Sequence, residues 1–214
     1  MGDIKLLNCD CMEFMKGCED NAFDLAIVDP PYNVGASDGK FGNRGYDSRS
    51  SNLKHYANHD ITPDSNYFEL LFRISKNQIV WGSNYYPKEL YHSGAIVWHK
   101  KKDGPLSDCE IAFQSFDKKV KYVWAEWQGF LTGGEKVVQR IHPNQKPIKL
   151  YDWLLSNYAK EGDKILDTHL GSGSSAIAAH YGGFEFVGME IDKDYYDAAV
   201  ERFDKETAQL DLLA

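Results

Sequence analysis

A glycine-rich loop between two short apolar segments, near the C-terminus, most constrains the fold of this 214-residue chain. In the stretch KILDTHLGSGSSAIAAHYGGFEFVGMEID, a predicted strand ends on Asp167, Gly171 and Gly173 precede a small-residue helix, and the next strand ends on Glu190. This order is typical of a nucleoside-binding βαβ unit, in which helix N–H groups and a strand-end carboxylate face the ligand. Residues 191–214 suffice for one helix, so the strands that complete the sheet must precede the loop.

A second constraint is the stretch IVDPPYNVG at 27–35. Residues 23–28 are apolar and partly β-branched, which predicts a strand covered on both faces in a parallel sheet. Pro30 and Pro31 end this strand, because neither proline can donate to a sheet ladder. Asp29 and the Pro30 carbonyl are therefore predicted in a stiff loop at the carboxyl end of a strand, where ligands bind in open α/β sheets.

Apolar periodicity predicts the remaining elements of a single domain, 1–214. Helices are predicted from about Met12, from a Thr62 cap with Pro63 in the first turn, and from Tyr195 to the end. The other predicted helices are 151–158 and 174–181, and the predicted strands are 4–7, 23–28, 78–81, 95–98, 110–116, 120–125, 164–166 and 185–189. Residues 33–60, rich in Gly, Ser, Asn and charge, are predicted to form a long mobile loop.

Composition limits the class of protein. The chain is 43% hydrophobic with four cysteines, which predicts a globular protein with reduced thiols rather than a disulfide framework or a metal site. No apolar run approaches the length of a membrane span, and the N-terminus lacks the regions of a signal peptide, so a cytoplasmic protein is expected.

The distribution of charge leaves two interpretations open. The net charge is −8, yet residues 99–150 contain ten Lys or Arg against six acids, and residues 35–59 also carry a positive balance. These segments, including the run Lys100–Lys102, either form one polyanion-facing side or an ordinary solvated surface.

Three ordered motifs resemble those of the amino-methyltransferases of DNA, specifically their permuted β group. They are DPPY at 29–32, HPNQKP at 142–147 before a helix, and LDTHLGSGSSAIAA at 166–179 with GMEID beyond it. The opening LLNCDCMEFMKGCEDNAFDLAIVDPPY is also similar to that family. The resemblance makes 33–60 and about 100–140 insertions, the latter a candidate DNA-recognition region, and loop 33–60 and the run Lys100–Lys102 would contact the DNA backbone and read its sequence. The resemblance implies a three-layer, Rossmann-like α/β fold with a mostly parallel seven-stranded sheet and a circularly permuted motif order.

The resemblance also implies the chemistry. The enzyme would transfer a methyl group from S-adenosylmethionine to the exocyclic amine of a base flipped out of double-stranded DNA. Asp29 and the Pro30 carbonyl, followed by Pro31, would accept hydrogen bonds from that amine, and Tyr32 would stack on the base. Members of the family often form homodimers, and no metal is required.

Cofactor contacts follow from the same motifs. Glu190 would bind the ribose, Asp10 the adenine, and Asn144 and Lys146 the methionine end. The full implied set is Asp10, Cys11, Asp29, Asn144, Lys146, Asp167, His169, Gly171, Gly173, Ser174, Glu190 and Ile191. The chain departs from the family at Thr168, His169 and Asn144, where Pro, Phe and Thr are usual.

Several alternatives stay open from the sequence. Asp at the first position of DPPY is more usual for adenine N6, and Ser for cytosine N4, so the cytosine enzyme is the nearest alternative. An RNA methyltransferase and a cofactor-binding protein without catalysis are more distant. The spacing Gly171-x-Gly173-x-x-Ala176 also fits a nicotinamide dehydrogenase, but Asp167 before the glycines would repel a pyrophosphate and suits a cationic amine.

Overall fold

One continuous β-sheet carries the site. The computed structural model describes residues 2–32, 61–90, 94–100, 107–125 and 140–208, so the predicted loop 33–60 lies outside the described residues. The strands are β1 Ile4–Leu7, β2 Phe23–Val28, β3 Ser75–Trp81, β4 Ala95–His99, β5 Cys109–Gln114, β6 Val120–Trp124, β7 Lys164–Asp167 and β8 Glu185–Met189. The helices are α1 Cys11–Lys16, α2 Ser65–Ile74, α3 Ile148–Tyr158, α4 Ser174–Gly182 and α5 Lys193–Thr207, with a short 3-10 helix at Ser83–Tyr85.

The strand order is β1-β8-β7-β2-β3-β5-β4-β6. Strand β5 pairs antiparallel with β3 and β4, and the other pairs are parallel. The mostly parallel sheet and the permuted order are therefore confirmed. The strand number implied by the resemblance is wrong: the described residues form eight strands rather than seven, because β6 adds to the sheet by pairing with β4.

Helices cover both faces of this sheet. Alternate residues of β2 point to opposite faces, as the pleat requires. Leu25 and Ile27 pack in one buried cluster with residues of α3 and α4. Ala26 and Val28 pack in a second cluster with residues of α1 and α2. The three-layer arrangement follows, and it explains why β2 is apolar at nearly every position.

Most predicted elements lie within a few residues of the observed ones, but two boundaries differ. Helix α2 begins at Ser65 with Asp64 as its N-cap, where the Asp64 side chain accepts a hydrogen bond from the Tyr67 N–H. The prediction of Thr62 as the cap is therefore wrong, because Asp64 satisfies the free N–H of the first turn. Helix α3 begins at Ile148, directly after Pro147. Within the described part of the chain, no helix has the length and apolar character needed to cross a bilayer.

Candidate active site

Strands β2 and β7 are neighbours, and both end at the same edge of the sheet. Leu25 lies opposite Ile165 and Ala26 opposite Leu166. The loop that begins at Asp29 and the glycine loop after Asp167 therefore lie side by side. One cleft is lined by residues of both, including Asp29, Pro31, Gly171, Ser172 and Glu190. The expected juxtaposition of the two motifs is present.

Four charged side chains form a network at this site, and two of them, Asp29 and Lys146, line the cleft. The Lys146 ammonium forms an ion pair with the Asp29 carboxylate, and its Nζ lies 3.3 Å from Glu110 Oε2. Glu110 Oε1 accepts a hydrogen bond from Lys100 Nζ at 2.6 Å. Lys146 Nζ also lies 5.7 Å from the centre of the buried Trp81 ring. Two carboxylates and two ammonium groups thus balance each other in a buried region.

This network sets the ionisation of its members. Burial raises the pKa of Asp29, and the Lys146 ammonium opposes that rise. Burial alone would lower the pKa of Lys146, but the carboxylates of Asp29 and Glu110 together raise it well above its usual value. Burial favours a higher pKa for Glu110 as well, yet Lys146 and Lys100 bring its pKa below the ordinary value. Lys146 is therefore a permanent cation in the cleft.

Two tyrosines from the segment after β3 hold the proline turn. The Tyr86 hydroxyl donates to the carbonyl oxygens of Pro30 at 2.9 Å and Pro31 at 2.8 Å. The Tyr32 ring stacks on Tyr85, with ring centres 4.6 Å apart and planes 5° from parallel. Gly82, at φ +69°, leaves room for this ring, because a Cβ at Gly82 would lie 2.5 Å from it. One face of Tyr32 is thus covered by a half-exposed tyrosine.

The glycine loop is fixed by two buried carboxyl groups. Gly171 and Gly173 have φ of +54° and +75°, which L side chains rarely adopt. The Gly171 N–H donates to Glu190 Oε2 at 3.0 Å, and the Asp192 N–H donates to Glu190 Oε1 at 3.0 Å. Glu190 also lines the cleft.

Asp167 supports the same loop from below. Its oxygens accept from the His169 N–H at 3.0 Å and the Ser175 hydroxyl at 2.6 Å. Burial raises the pKa of Asp167 to about 7. The side chain is 2% exposed and does not line the two clefts described here. Asp167 therefore supports the loop through these hydrogen bonds, and its contact with the cofactor stays a prediction.

A second cleft of about 490 Å³ adjoins the first. Asp10, Cys11 and Ile191 line it, and Pro31, His169 and Glu190 belong to both clefts. The Asp10 carboxylate caps helix α1 by accepting from the Met12 N–H at 2.7 Å. Burial raises the pKa of the Cys11 thiol to about 12, so this cleft contains a neutral thiol.

His169 stands where the family usually has an aromatic, and its ring is held in a fixed orientation. Nδ1 lies 2.9 Å from the Thr168 hydroxyl, which is 2.7 Å from the Tyr67 hydroxyl. The ring packs edge-on against Tyr67, with centres 5.6 Å apart. Burial lowers the pKa of His169 to about 4, so a neutral planar ring covers this side of the cleft.

The HPNQKP segment crosses over the glycine loop. The Lys146 carbonyl accepts from the Ser174 hydroxyl at 2.7 Å, and His142 Nδ1 accepts from the Asn144 N–H at 3.2 Å. Burial lowers the pKa of His142 to about 3. Asn144, Lys146 and Ser174 all line the first cleft, so the structure brings these predicted residues together with Asp29.

Glu110, Tyr85 and Tyr86 were missed by sequence reasoning. Glu110 comes close to Lys146 because β5 runs antiparallel and begins at the site edge, a direction that no local pattern reveals. Lys100, the one residue of the Lys100–Lys102 run within the described residues, is only 15% exposed and paired with Glu110. Lys118 and Lys119 follow the far end of β5 and lie beside the start of β4, where the Lys119 carbonyl accepts from the Ala95 N–H. That is the sheet edge opposite the cleft.

Sequence comparisons match this chain to DNA methylases and type II methyltransferases. A family model described as DNA methylase matches residues 65–201. The type II methyltransferase M.HpaI of Haemophilus parainfluenzae is 24% identical over 95% of this chain and 75% of its own. The type II methyltransferase M2.DpnII of Streptococcus pneumoniae is 26% identical over 94% of this chain and 90% of its own.

Solved structures share the fold. The M1.HpyAVI–SAM complex superposes with a TM-score of 0.57 at 18% identity, covering 93% of this chain and 99% of that chain. The PvuII DNA methyltransferase (cytosine-N4-specific) superposes with a TM-score of 0.63 at 14% identity, covering 97% of this chain and 91% of that chain.

Proposed function

This chain belongs to the N6/N4 DNA methylase family, and from that premise we propose that it transfers a methyl group from S-adenosylmethionine to the exocyclic N6 of adenine in double-stranded DNA. The observation that carries the proposal is the single cleft lined by both Asp29 and the glycine loop. This arrangement supports the proposal, because Asp29 can accept amine hydrogens beside a loop whose sequence is typical of nucleoside binding.

The residues present fit S-adenosylmethionine. Glu190 lines both clefts and would face the ribose hydroxyls, and the cleft beside Asp10 has a volume typical of small-molecule sites. A solved neighbour of the same fold is a complex with this cofactor, which supports the assignment. Asn144 and Ser174 would hold the methionine end. When bound, the cofactor supplies a methyl group on a sulfonium, which needs no further activation.

The protein's own groups orient the amine. An exocyclic amine is a poor nucleophile because its lone pair is delocalised into the base. Asp29 accepts one N–H and the Pro30 carbonyl accepts the other, which localises the lone pair on nitrogen. The Pro30 oxygen retains a second lone pair beside the Tyr86 hydroxyl. Asp29 also stabilises the positive charge that develops on the amine.

Base flipping belongs to the same proposal. A paired base cannot reach a cleft at the sheet edge, so the base must leave the duplex, at a cost of a few kcal/mol. Stacking on Tyr32 offsets part of that cost. Tyr85 already covers one face of the Tyr32 ring, so the base either uses the other face or displaces Tyr85.

Cytosine N4 is the second candidate, since its exocyclic amine offers the same two hydrogens. Asp at the first position of DPPY favours adenine within the resemblance. The test is incubation with methyl-labelled cofactor and unmethylated genomic DNA, followed by nucleoside analysis. We expect label in N6-methyladenine. Label in N4-methylcytosine would overturn the base assignment, and no label in DNA would overturn the function.

Asp29→Ala provides the site test. We expect methyl transfer to fall by roughly 100-fold or more, because the principal acceptor for the amine is lost. Cofactor affinity, measured by calorimetry, should change only a few-fold. Asp20→Ala is the matched control, since Asp20 is a surface acid paired with Arg73. Equal transfer by the two variants would contradict the role of Asp29.

A further inference from the structure

Glu110 is a partly buried carboxylate, 24% exposed, that the proposed reaction leaves without a role. Its Oε1 is held by Lys100 Nζ at 2.6 Å. Its Oε2 is buried and has no hydrogen-bond partner within the described parts of the chain. Lys146 Nζ lies 3.3 Å from that oxygen, at ion-pair distance without hydrogen-bond geometry. Glu110 therefore presents an unused acceptor to Lys146.

Asp29 differs from Glu110 because both of its carboxylate oxygens have a partner. One of its oxygens is engaged by the Lys146 ammonium, and the other lies 3.4 Å from the Tyr32 hydroxyl. A target amine that binds Asp29 therefore shares this carboxylate with the lysine ammonium. The ammonium also opposes the positive charge that the amine nitrogen acquires as the methyl group moves onto it. Methyl transfer is thus easier with the Lys146 charge farther from Asp29.

We propose that Glu110 is a positioning residue for methyl transfer: it takes over the Lys146 ammonium when the target amine binds Asp29. The movement is short, because Nζ already lies within 3.3 Å of Glu110 Oε2. Lys100 keeps Glu110 in place from the other side, and the ammonium stays paired throughout. The site therefore exposes the Asp29 charge only to the amine, without leaving a buried lysine unpaired.

The inference rests on the proposed function, and it holds for either an adenine or a cytosine amine. No proton is transferred in this movement, because Lys146 stays protonated and only changes its carboxylate partner from Asp29 to Glu110. The titratable groups that face Asp29 among the described residues are Lys146, Glu110, Tyr32, Asp167 and Tyr151. Of these, Glu110 and Lys146 affect the pKa of Asp29 through their charges, and a substitution of Glu110 would alter both of these effects.

The test compares Glu110→Gln with wild type in pre-steady-state methyl transfer. In the variant the lysine has one carboxylate partner and stays on Asp29, so kcat should fall by roughly 10- to 100-fold. Affinity for S-adenosylhomocysteine, measured by calorimetry without turnover, should stay within about twofold, because Glu110 does not line either cofactor cleft.

A pH profile separates positioning from simple support of the fold. The Glu110 charge raises the pKa of Asp29, so its removal should move the acidic limb of kcat to lower pH. Glu110→Asp keeps a carboxylate and should restore much of the lost rate. Glu185→Gln, an exposed strand glutamate of β8, is the matched control and should behave as wild type.

The outcomes distinguish this inference from the proposed function. Wild-type transfer together with an unshifted acidic limb in Glu110→Gln would overturn the role of Glu110 alone. A Glu110→Asp variant as defective as Glu110→Gln would overturn it as well. Absence of methyl transfer by the wild type would overturn the proposed function, and with it this role.

Discussion

Asp167 shows how a single buried residue can govern the pH dependence of stability. Burial raises the pKa of its carboxyl from 3.8 to about 7. The folded chain therefore holds this proton more tightly than the unfolded chain does. Between about pH 4 and pH 7, the contribution of Asp167 to the free energy of unfolding falls as the pH rises, and above that window the buried carboxylate is charged.

Asp167→Asn should remove this titration while preserving the shape of the side chain. Relative to wild type, the free energy of unfolding of the variant should increase by about 3 kcal/mol between about pH 5 and pH 8. Urea denaturation at the two pH values measures the difference. His142 and His169, whose depressed pKa values act in the opposite direction, are present in both proteins and largely cancel.

The control for this comparison is Asp3→Asn, an acid that is 67% exposed. Its difference from wild type, measured at the same two pH values, is the baseline for the comparison. A constant difference for Asp167→Asn would show that the Asp167 carboxyl titrates alike in the folded and unfolded chains, contrary to its burial.

At the scale of elements, local sequence chemistry decides where helices and strands begin. Helix α2 illustrates the limit of such reasoning, because two residues near its start can act as caps. The sequence places apolar residues at helical spacing at Tyr67, Leu70, Leu71 and Ile74; all four lie in α2, where Leu70 is partly buried and the other three are buried. The choice between Thr62 and Asp64 depended on backbone geometry, which spacing does not specify.

Asp64→Ala should lower the free energy of unfolding by about 1 kcal/mol, because the Tyr67 N–H loses its acceptor. Thr62→Ala should change it by less than about 0.5 kcal/mol, since Thr62 is exposed and precedes the cap. Urea denaturation of both variants makes the comparison. A larger loss for Thr62→Ala would restore the original assignment of the cap.

Strand β5 is an element whose existence the sequence predicted and whose direction it did not. Val80 lies opposite Phe113 and Trp81 opposite Ala112 in an antiparallel pair. This direction brings Glu110 to the site edge and carries Lys118 and Lys119 away from it. All three residues fall in the segment 99–150 whose charges were counted together, although β5 places Glu110 at one end of the strand and the two lysines beyond the other.

At the scale of the whole molecule, this separation predicts which basic residues face DNA. Lys118→Gln combined with Lys119→Gln should leave the salt dependence of DNA affinity unchanged, because these lysines lie at the edge opposite the cleft. Lys101 and Lys102, predicted from the sequence to contact the backbone, lie outside the described residues. Their joint replacement by Gln should lower the slope of log affinity against log salt by up to about 2.

Fluorescence anisotropy with a labelled duplex at several salt concentrations measures both slopes. The two double variants remove the same charge, so each is the control for the other. An equal loss of slope in the Lys118 and Lys119 variant would mean that DNA contacts both edges of the sheet. That result would favour the other interpretation left open by the sequence, in which the basic residues belong to an ordinary solvated surface.

The sequence by itself determined the alternation of strands and helices and placed Asp29, Asp167 and Glu190 at or just beyond strand ends. Apolar periodicity and the positions of proline and glycine determine backbone conformation over a few residues, so the sequence is sufficient to predict these features. The tertiary structure alone decided that Lys146 pairs with Asp29 and Glu110, and that Tyr85 stacks on Tyr32. Ion pairs and strand pairing join residues that are far apart in the chain. Their free energy depends on the burial of the side chains and on the direction of the strands, and no local sequence pattern encodes either.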